Sequence, residues 1–158
     1  MVSLVRRQGR TMLDIRVRLG ETVDVLESTG STAQDRFHEL LGLIIAQALH
    51  DGMSAVKLGV DRSTQRVYLR YYGPVGVPEA RWWEMTAPPP QAYLGLVKAV
   101  VAAMELAPGL DPRGTICARI NRRAVDVRVE FKRWDEVTLA WGASEPAQVG
   151  TPGTQGTA

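Results

Sequence analysis

The chain has one cysteine, Cys117, in 158 residues, so no disulfide can form within it and a reducing compartment is the expected setting. Lysine is scarce: Lys57, Lys98 and Lys132 are all there are, and none follows a glycine. That removes the G-x-x-x-x-G-K-[ST] loop that cradles phosphates, and with it an autonomous P-loop ATPase. No G-x-S-x-G nucleophile elbow occurs. The two histidines, His38 and His50, fall on one expected helix, too far apart to share a metal, and one cysteine cannot complete a tetrahedral site. No stretch approaches the ~20 apolar residues of a membrane span. The opening residues, MVSLVRRQGR, put no long apolar run behind their charges, so a cytoplasmic protein without a signal peptide is expected. A net charge of +2 is too small to argue for nucleic acid. No cofactor and no catalytic group are expected.

What the chain does have is alternation. In Gly114–Phe131 the residues Val125, Val127, Val129 and Phe131 alternate with Asp126, Arg128 and Glu130. A period of two puts the apolar set on one face of a strand and the charged set on the other. Ile116, Ala118 and Ile120 do the same ahead of a turn at 121–123. Further hairpins are expected at Met12–Glu27 and Ser54–Tyr72, an edge strand at Arg81–Met85, and a last strand at Glu136–Trp141. Two segments carry helical spacing instead. Thr32–Asp51 sets Phe37, Leu40, Leu41, Ile44, Ala48 and Leu49 at that spacing, and Gln91–Leu106 carries an apolar stripe of Tyr93, Leu94, Val97, Val100, Val101 and Met104. Residues 1–10 read as loose, and 143–158 as a disordered tail. The expectation is an α+β fold: an antiparallel sheet with two helices packed on one face. An N-terminal arm would occupy 1–30 and the main domain 31–142.

Such a sheet leaves a second face, and the residues that decorate it are the functional candidates. Arg70, Arg119, Asp126 and Arg128 belong to the polar set, with Lys57 and Glu130 beside them. Their plain reading is a solvated face with ion pairs such as Asp126–Arg128, each worth ~0.2–1 kcal/mol. Their functional reading is a face that binds an anion or a partner. Tyr72, Trp82 and Trp83 stand out with Tyr68 and Trp134, because tryptophan and tyrosine are enriched in interface hot spots. Alternation lets only one of Trp82 and Trp83 point inward. Cys117, two residues from Arg119, is expected to be a quiet sheet cysteine, with a lowered thiol pKa as the alternative.

From Leu43 to Gly142 the order of these elements resembles the PAS-like N-terminal domain of the type II secretion and type IV pilus ATPases. The family's helix ends in a phrase like A-x-x-x-G-A-S-D-I-H; here it is AQALHDGMSAVK at 46–57. Its strand V-R-Y-R-I-D-G is matched by VYLRYYG at 67–73, its second helix by LVKAVVAAMELA at 96–107, and its P-Q-D-G-R-I by DPRGTI at 111–116. Its V-D-L-R-V is matched by VDVRV at 125–129. The family's Asp-Ile-His is Ala55-Val56-Lys57 here, its first strand arginine is Tyr68, and its Asp before Gly is Tyr72. No RecA-like motor follows within the 158 residues. In that family the domain packs on a neighbouring motor and its strand arginines approach the nucleotide. The resemblance therefore implies a non-catalytic module that docks on a motor ATPase or another secretion or pilus component, or that self-associates, with Arg70 and the Asp126–Arg128 pair in the arginine role. A PAS-like small-molecule sensor, or phosphate or nucleic-acid binding through the arginines, are the alternatives.

Overall fold

The computed structural model describes residues 1–20, 23–25, 33–73, 82–85, 87–106 and 112–141. Its elements are β1 (Val2–Arg7), β2 (Arg10–Ile15), β3 (Val17–Leu19), β4 (Val23–Val25), α1 (Ala33–His50), β5 (Ala55–Asp61) and β6 (Arg66–Tyr72). They continue with β7 (Trp82–Met85), α2 (Pro90–Ala103), β8 (Met104–Leu106), β9 (Arg113–Ile120), β10 (Arg123–Lys132) and β11 (Glu136–Ala140). One nine-stranded sheet runs β1-β2-β9-β10-β11-β5-β6-β7, with β8 beside the first half of β9. β3 and β4 form a separate two-stranded ribbon. The architecture is α+β, as the alternating and helical periods require.

The alternation sorts the sheet into two faces. Val56, Leu58, Leu69, Ile116, Ala118, Val127, Val129, Phe131, Val137 and Leu139 are buried on one of them. There they join Leu41, Ile44, Ile45 and Ala48 of α1 and Leu96, Val100 and Ala103 of α2 in a single core. Each such aliphatic side chain contributes ~1.5–3 kcal/mol by leaving water. The helices cross where α2 has no side chain: a Cβ on Gly95 would overlap the Phe37 ring. Trp141 closes the core below the end of β11, its indole N–H donating to the Met53 carbonyl at 2.8 Å.

Tight turns fix the strand registers. Asn121 (φ 47°) and Arg122 (φ 73°) join Ile120 to Arg123, and Gln8 (φ 53°) and Gly9 (φ 77°) join Arg7 to Arg10. Two successive left-handed residues give the primed turn whose twist matches that of the strands. Arg133 (φ 55°) and Trp134 (φ 62°) repeat this between β10 and β11 with neither glycine nor asparagine.

Four expectations need correction. Residues 1–10 are not loose: β1 pairs with β2 along its whole length, and Val2 is buried. In the expected Met12–Glu27 hairpin the first alternating run, Met12–Leu19, is not one strand but breaks at Arg16, whose N–H donates to the Met1 carbonyl at 2.7 Å. The sheet is mixed rather than antiparallel, because β2 lies parallel to β9, with Leu13 opposite Ala118 and Ile15 opposite Ile120. Local hairpins are antiparallel by necessity, but these two strands are about a hundred residues apart in sequence, and no turn constrains their direction. Finally, α2 stops at Ala103 and the chain turns extended at Met104 (ψ 153°) to pair with β9. Gly114 admits that approach, since a Cβ there would strike the backbone of Glu105. The edge strand expected at 81–85 is β7. The Gly- and Pro-rich run 73–78, which its composition makes a loop, lies outside the described residues from residue 74 on, as does the expected tail at 143–158.

Candidate functional site

Opposite the core, the sheet presents its polar parity, and the register shows which side chains stand side by side. On β6 the residues Tyr68, Arg70 and Tyr72 alternate with buried Val67, Leu69 and Tyr71. Arg70 stands between Lys57 of β5 and Glu84 of β7, and Tyr72 between Ala55 and Trp82. The Arg70 guanidinium lies over two rings at once, 4.2 Å from the centre of Tyr68 and 4.7 Å from that of Trp82. Its Nε donates to Glu84 Oε1 at 2.8 Å. That hydrogen bond is the main reason the guanidinium pKa is raised further. Arginine suits this position because a planar, weakly hydrated cation can stack on aromatic faces and still donate in plane. Beside it the Lys57 ammonium sits 5.1 Å from the centre of the Tyr72 ring.

A missing side chain makes the arrangement possible. Gly59 faces Tyr68 across the β5–β6 ladder, and a Cβ on Gly59 would overlap the phenol. The ring therefore lies over the β5 backbone, and its hydroxyl donates to Glu136 Oε2. Burial, then that carboxylate, holds the Tyr68 hydroxyl pKa well above the usual tyrosine value. One phenol thus supports Arg70 with its face and Glu136 with its edge.

The other end of the same face is built differently. Arg119 Nε donates to Asp14 Oδ1 at 3.2 Å, and Asp14 is also 3.7 Å from Arg16. Asn121 ties the same strands together: its side chain accepts from Val17 N–H and donates to the Val17 carbonyl, both at 3.0 Å. Its own N–H donates to the Ile15 carbonyl at 2.9 Å. Asp126 stands opposite Cys117, and Arg128 between Thr115 and Ala140. No salt bridge joins Asp126 to Arg128 among the described residues, so the ion pair expected there does not form.

The seven nominated residues consequently divide. Arg70, Tyr72 and Trp82 form one cluster; the Trp83 backbone pairs with Tyr71 in the same ladder. Arg119, Asp126 and Arg128 lie on β9 and β10, three or four strands away, or roughly 14–19 Å at ~4.8 Å per strand. Of the remaining aromatic candidates, Trp134 is exposed at the β10–β11 turn, its ring tilted 38° against that of Phe131 with centres 4.7 Å apart. Cys117 touches Arg10 (Nη2 to Sγ 3.2 Å), and burial pushes its thiol pKa up, against the lowered pKa weighed as the alternative. Tyr68 was readable from its parity with Arg70. Glu84, Gly59 and Glu136 were not, since they join the site only through the cross-strand register.

Among the described residues no group of three His, Cys, Asp or Glu side chains could hold a metal ion. His50 contacts the Gly20 carbonyl at 2.9 Å, while His38 is buried in the helix layer with its Nε2 unpartnered. No described helix is long and apolar enough to cross a membrane. No protein-family model and no curated protein matches the chain.

Proposed function

We propose that this chain is a non-catalytic protein-interaction module of the PAS-like kind that the secretion and pilus ATPases carry ahead of their motor, and that it docks on such a motor ATPase. The observation that carries this reading is the Arg70 stack. A cation held between two rings by a carboxylate is preorganised, and Trp82, 49% exposed, extends its apolar surface into solvent at the sheet edge. Preorganised aromatic and arginine groups are what binding hot spots are made of, because little conformational entropy remains to be lost. In the family that 67–73 resembles, the strand arginines approach the nucleotide of a neighbouring motor, and Arg70 is the strand arginine this chain retains.

The test is a titration of the chain into the secretion or pilus motor ATPase encoded in the same genome, together with sedimentation of the chain alone. Trp82→Ala and Arg70→Ala are each expected to weaken motor binding at least tenfold, or about 1.4 kcal/mol, with the circular dichroism spectrum unchanged. Wild-type affinity in both variants would reject the docking face. A dimer of the chain alone that Trp82→Ala dissociates, with no motor binding, would replace the motor by a second copy.

A further inference from the structure

A separate concavity opens where the β5–β6 and β10–β11 turns meet. Its volume is about 240 Å³, and Val60, Arg62, Tyr68, Lys132, Arg133, Asp135 and Glu136 line it. Its charges are not evenly matched. Arg62 is held by Asp135 at 2.6 Å, and Glu136 accepts from the Tyr68 hydroxyl. Lys132 and Arg133 have no ion-pair partner among the described residues. With Arg62 matched by Asp135, Lys132 and Arg133 face the one remaining carboxylate, Glu136, which stands opposite Lys132 in the ladder, so the rim keeps a net positive charge. The turn that carries Arg133 is held from outside: the Asp135 carbonyl accepts from Val60 N–H at 2.8 Å, and the Trp134 carbonyl accepts from the Tyr93 hydroxyl at 2.9 Å. Arg133 (φ 55°) and Trp134 (φ 62°) take the left-handed conformation that the turn requires, and the turn sets Arg133 on the rim of the cleft.

We infer that this cleft binds a compact phosphate monoester that carries free hydroxyl groups. Lys132 and Arg133 neutralise the dianion, the ammonium as a point charge and the guanidinium through paired N–H donors. Asp135 and Glu136 would repel a bare anion at the far wall, but each has an oxygen left to accept a hydrogen bond, which suits the hydroxyls of a polyol. The volume is below the ~300–1,000 Å³ of sites for drug-sized ligands. One face of the Tyr68 ring is taken by Arg70, so a nucleobase finds no free stacking platform there. The inference does not rest on the docking reading: Tyr68 and Glu136 are shared with the Arg70 site, but the deciding double variant, at Lys132 and Arg133, leaves Arg70, Trp82 and their contacts unchanged.

Isothermal titration calorimetry with glycerol 3-phosphate, inorganic phosphate and glycerol tests it on the full chain. Saturable binding of glycerol 3-phosphate, at least fivefold tighter than inorganic phosphate, is expected, with none for glycerol. Lys132→Met combined with Arg133→Gly, which also relieves the positive φ, is expected to remove binding while the melting temperature holds or rises. Glu136→Gln is expected to narrow the preference over inorganic phosphate and to leave the phosphate affinity within twofold. Absence of binding, or binding that survives the double variant, overturns the site. Equal affinity for the two phosphates overturns the hydroxyl-bearing class.

Discussion

Arg119 and Arg70 stand on the same face of the same sheet, each with one carboxylate, and their side chains are similarly covered at 26% and 32% exposed. Their partners differ. Asp14 is 11% exposed and shared with Arg16, whereas Glu84 is 51% exposed. Around Arg119, Asn121 and the parallel ladder stitch the N-terminal hairpin to β9, so the charges there hold two pieces of chain together. Around Arg70 the strands are held by their own ladders, and the stack of rings and charges ends in water. One end of the face is a seam and the other is a display. Composition does not separate them; burial of the acid does.

The sharpest way to test that division is at the seam. Asn121→Ala removes both bonds to Val17 and leaves alanine at φ 47°. Two hydrogen bonds at ~1 kcal/mol each and the left-handed penalty of ~1 kcal/mol give a loss of about 3 kcal/mol, read from urea denaturation. Asn121→Gly keeps the turn and should lose about 2 kcal/mol. If both variants melt like the wild type, the hairpin is not stitched there. Next in size is the contrast between the acids. Asp14→Ala leaves Arg119 largely covered and unpaired, for a loss of about 2 kcal/mol, while Glu84→Ala removes an exposed partner and should cost about 0.5 kcal/mol or less. Equal losses would erase the distinction between seam and display.

Gly59 reaches the display from below. Alanine there meets the Asp135 carbonyl at 2.8 Å and displaces the Tyr68 ring. The expected loss of stability is about 1 kcal/mol, since the phenol can swing outward. Arg70 loses one of its two rings in the same step. Gly59→Ala should therefore weaken partner binding without touching any residue on the docking surface. Full retention of binding would mean that Tyr68 does not hold Arg70 in place.

How much of this was legible without coordinates follows from the range of each interaction. Both helices, the 54–72 and 114–131 hairpins and the parity of Arg70, Tyr72, Arg119, Asp126 and Arg128 came from periods of 3.6 and 2, which are local. Arg70 fell on the expected face for that reason, while alternation left open which of Trp82 and Trp83 points inward. The parallel join of β2 to β9 was hidden because it links strands with no common turn. β1 was hidden because Val2 and Leu4 sit among arginines that mark an edge strand as readily as a loose arm. Met104 fits the helical stripe of α2, with Glu105 off it, and only the space above Gly114 draws 104–106 into a strand. The left-handed Arg133 and Trp134 carry no turn signature, since glycine or asparagine would be the usual choice.

A small expected effect on stability carries the most weight for the display. Trp82 lies on an edge strand, half exposed, and its interaction with Arg70 is of the exposed kind worth ~0.5–1 kcal/mol. Glu84 and Tyr68 continue to hold Arg70 when the indole is removed. Trp82→Ala is therefore expected to shift the urea midpoint by about 0.5 kcal/mol of stability, a sixth of the Asn121→Ala effect, while lowering partner affinity at least tenfold. A stability loss as large as that at the seam would mean that Trp82 is structural, and the difference between the two ends of the face would lie in their chemistry alone.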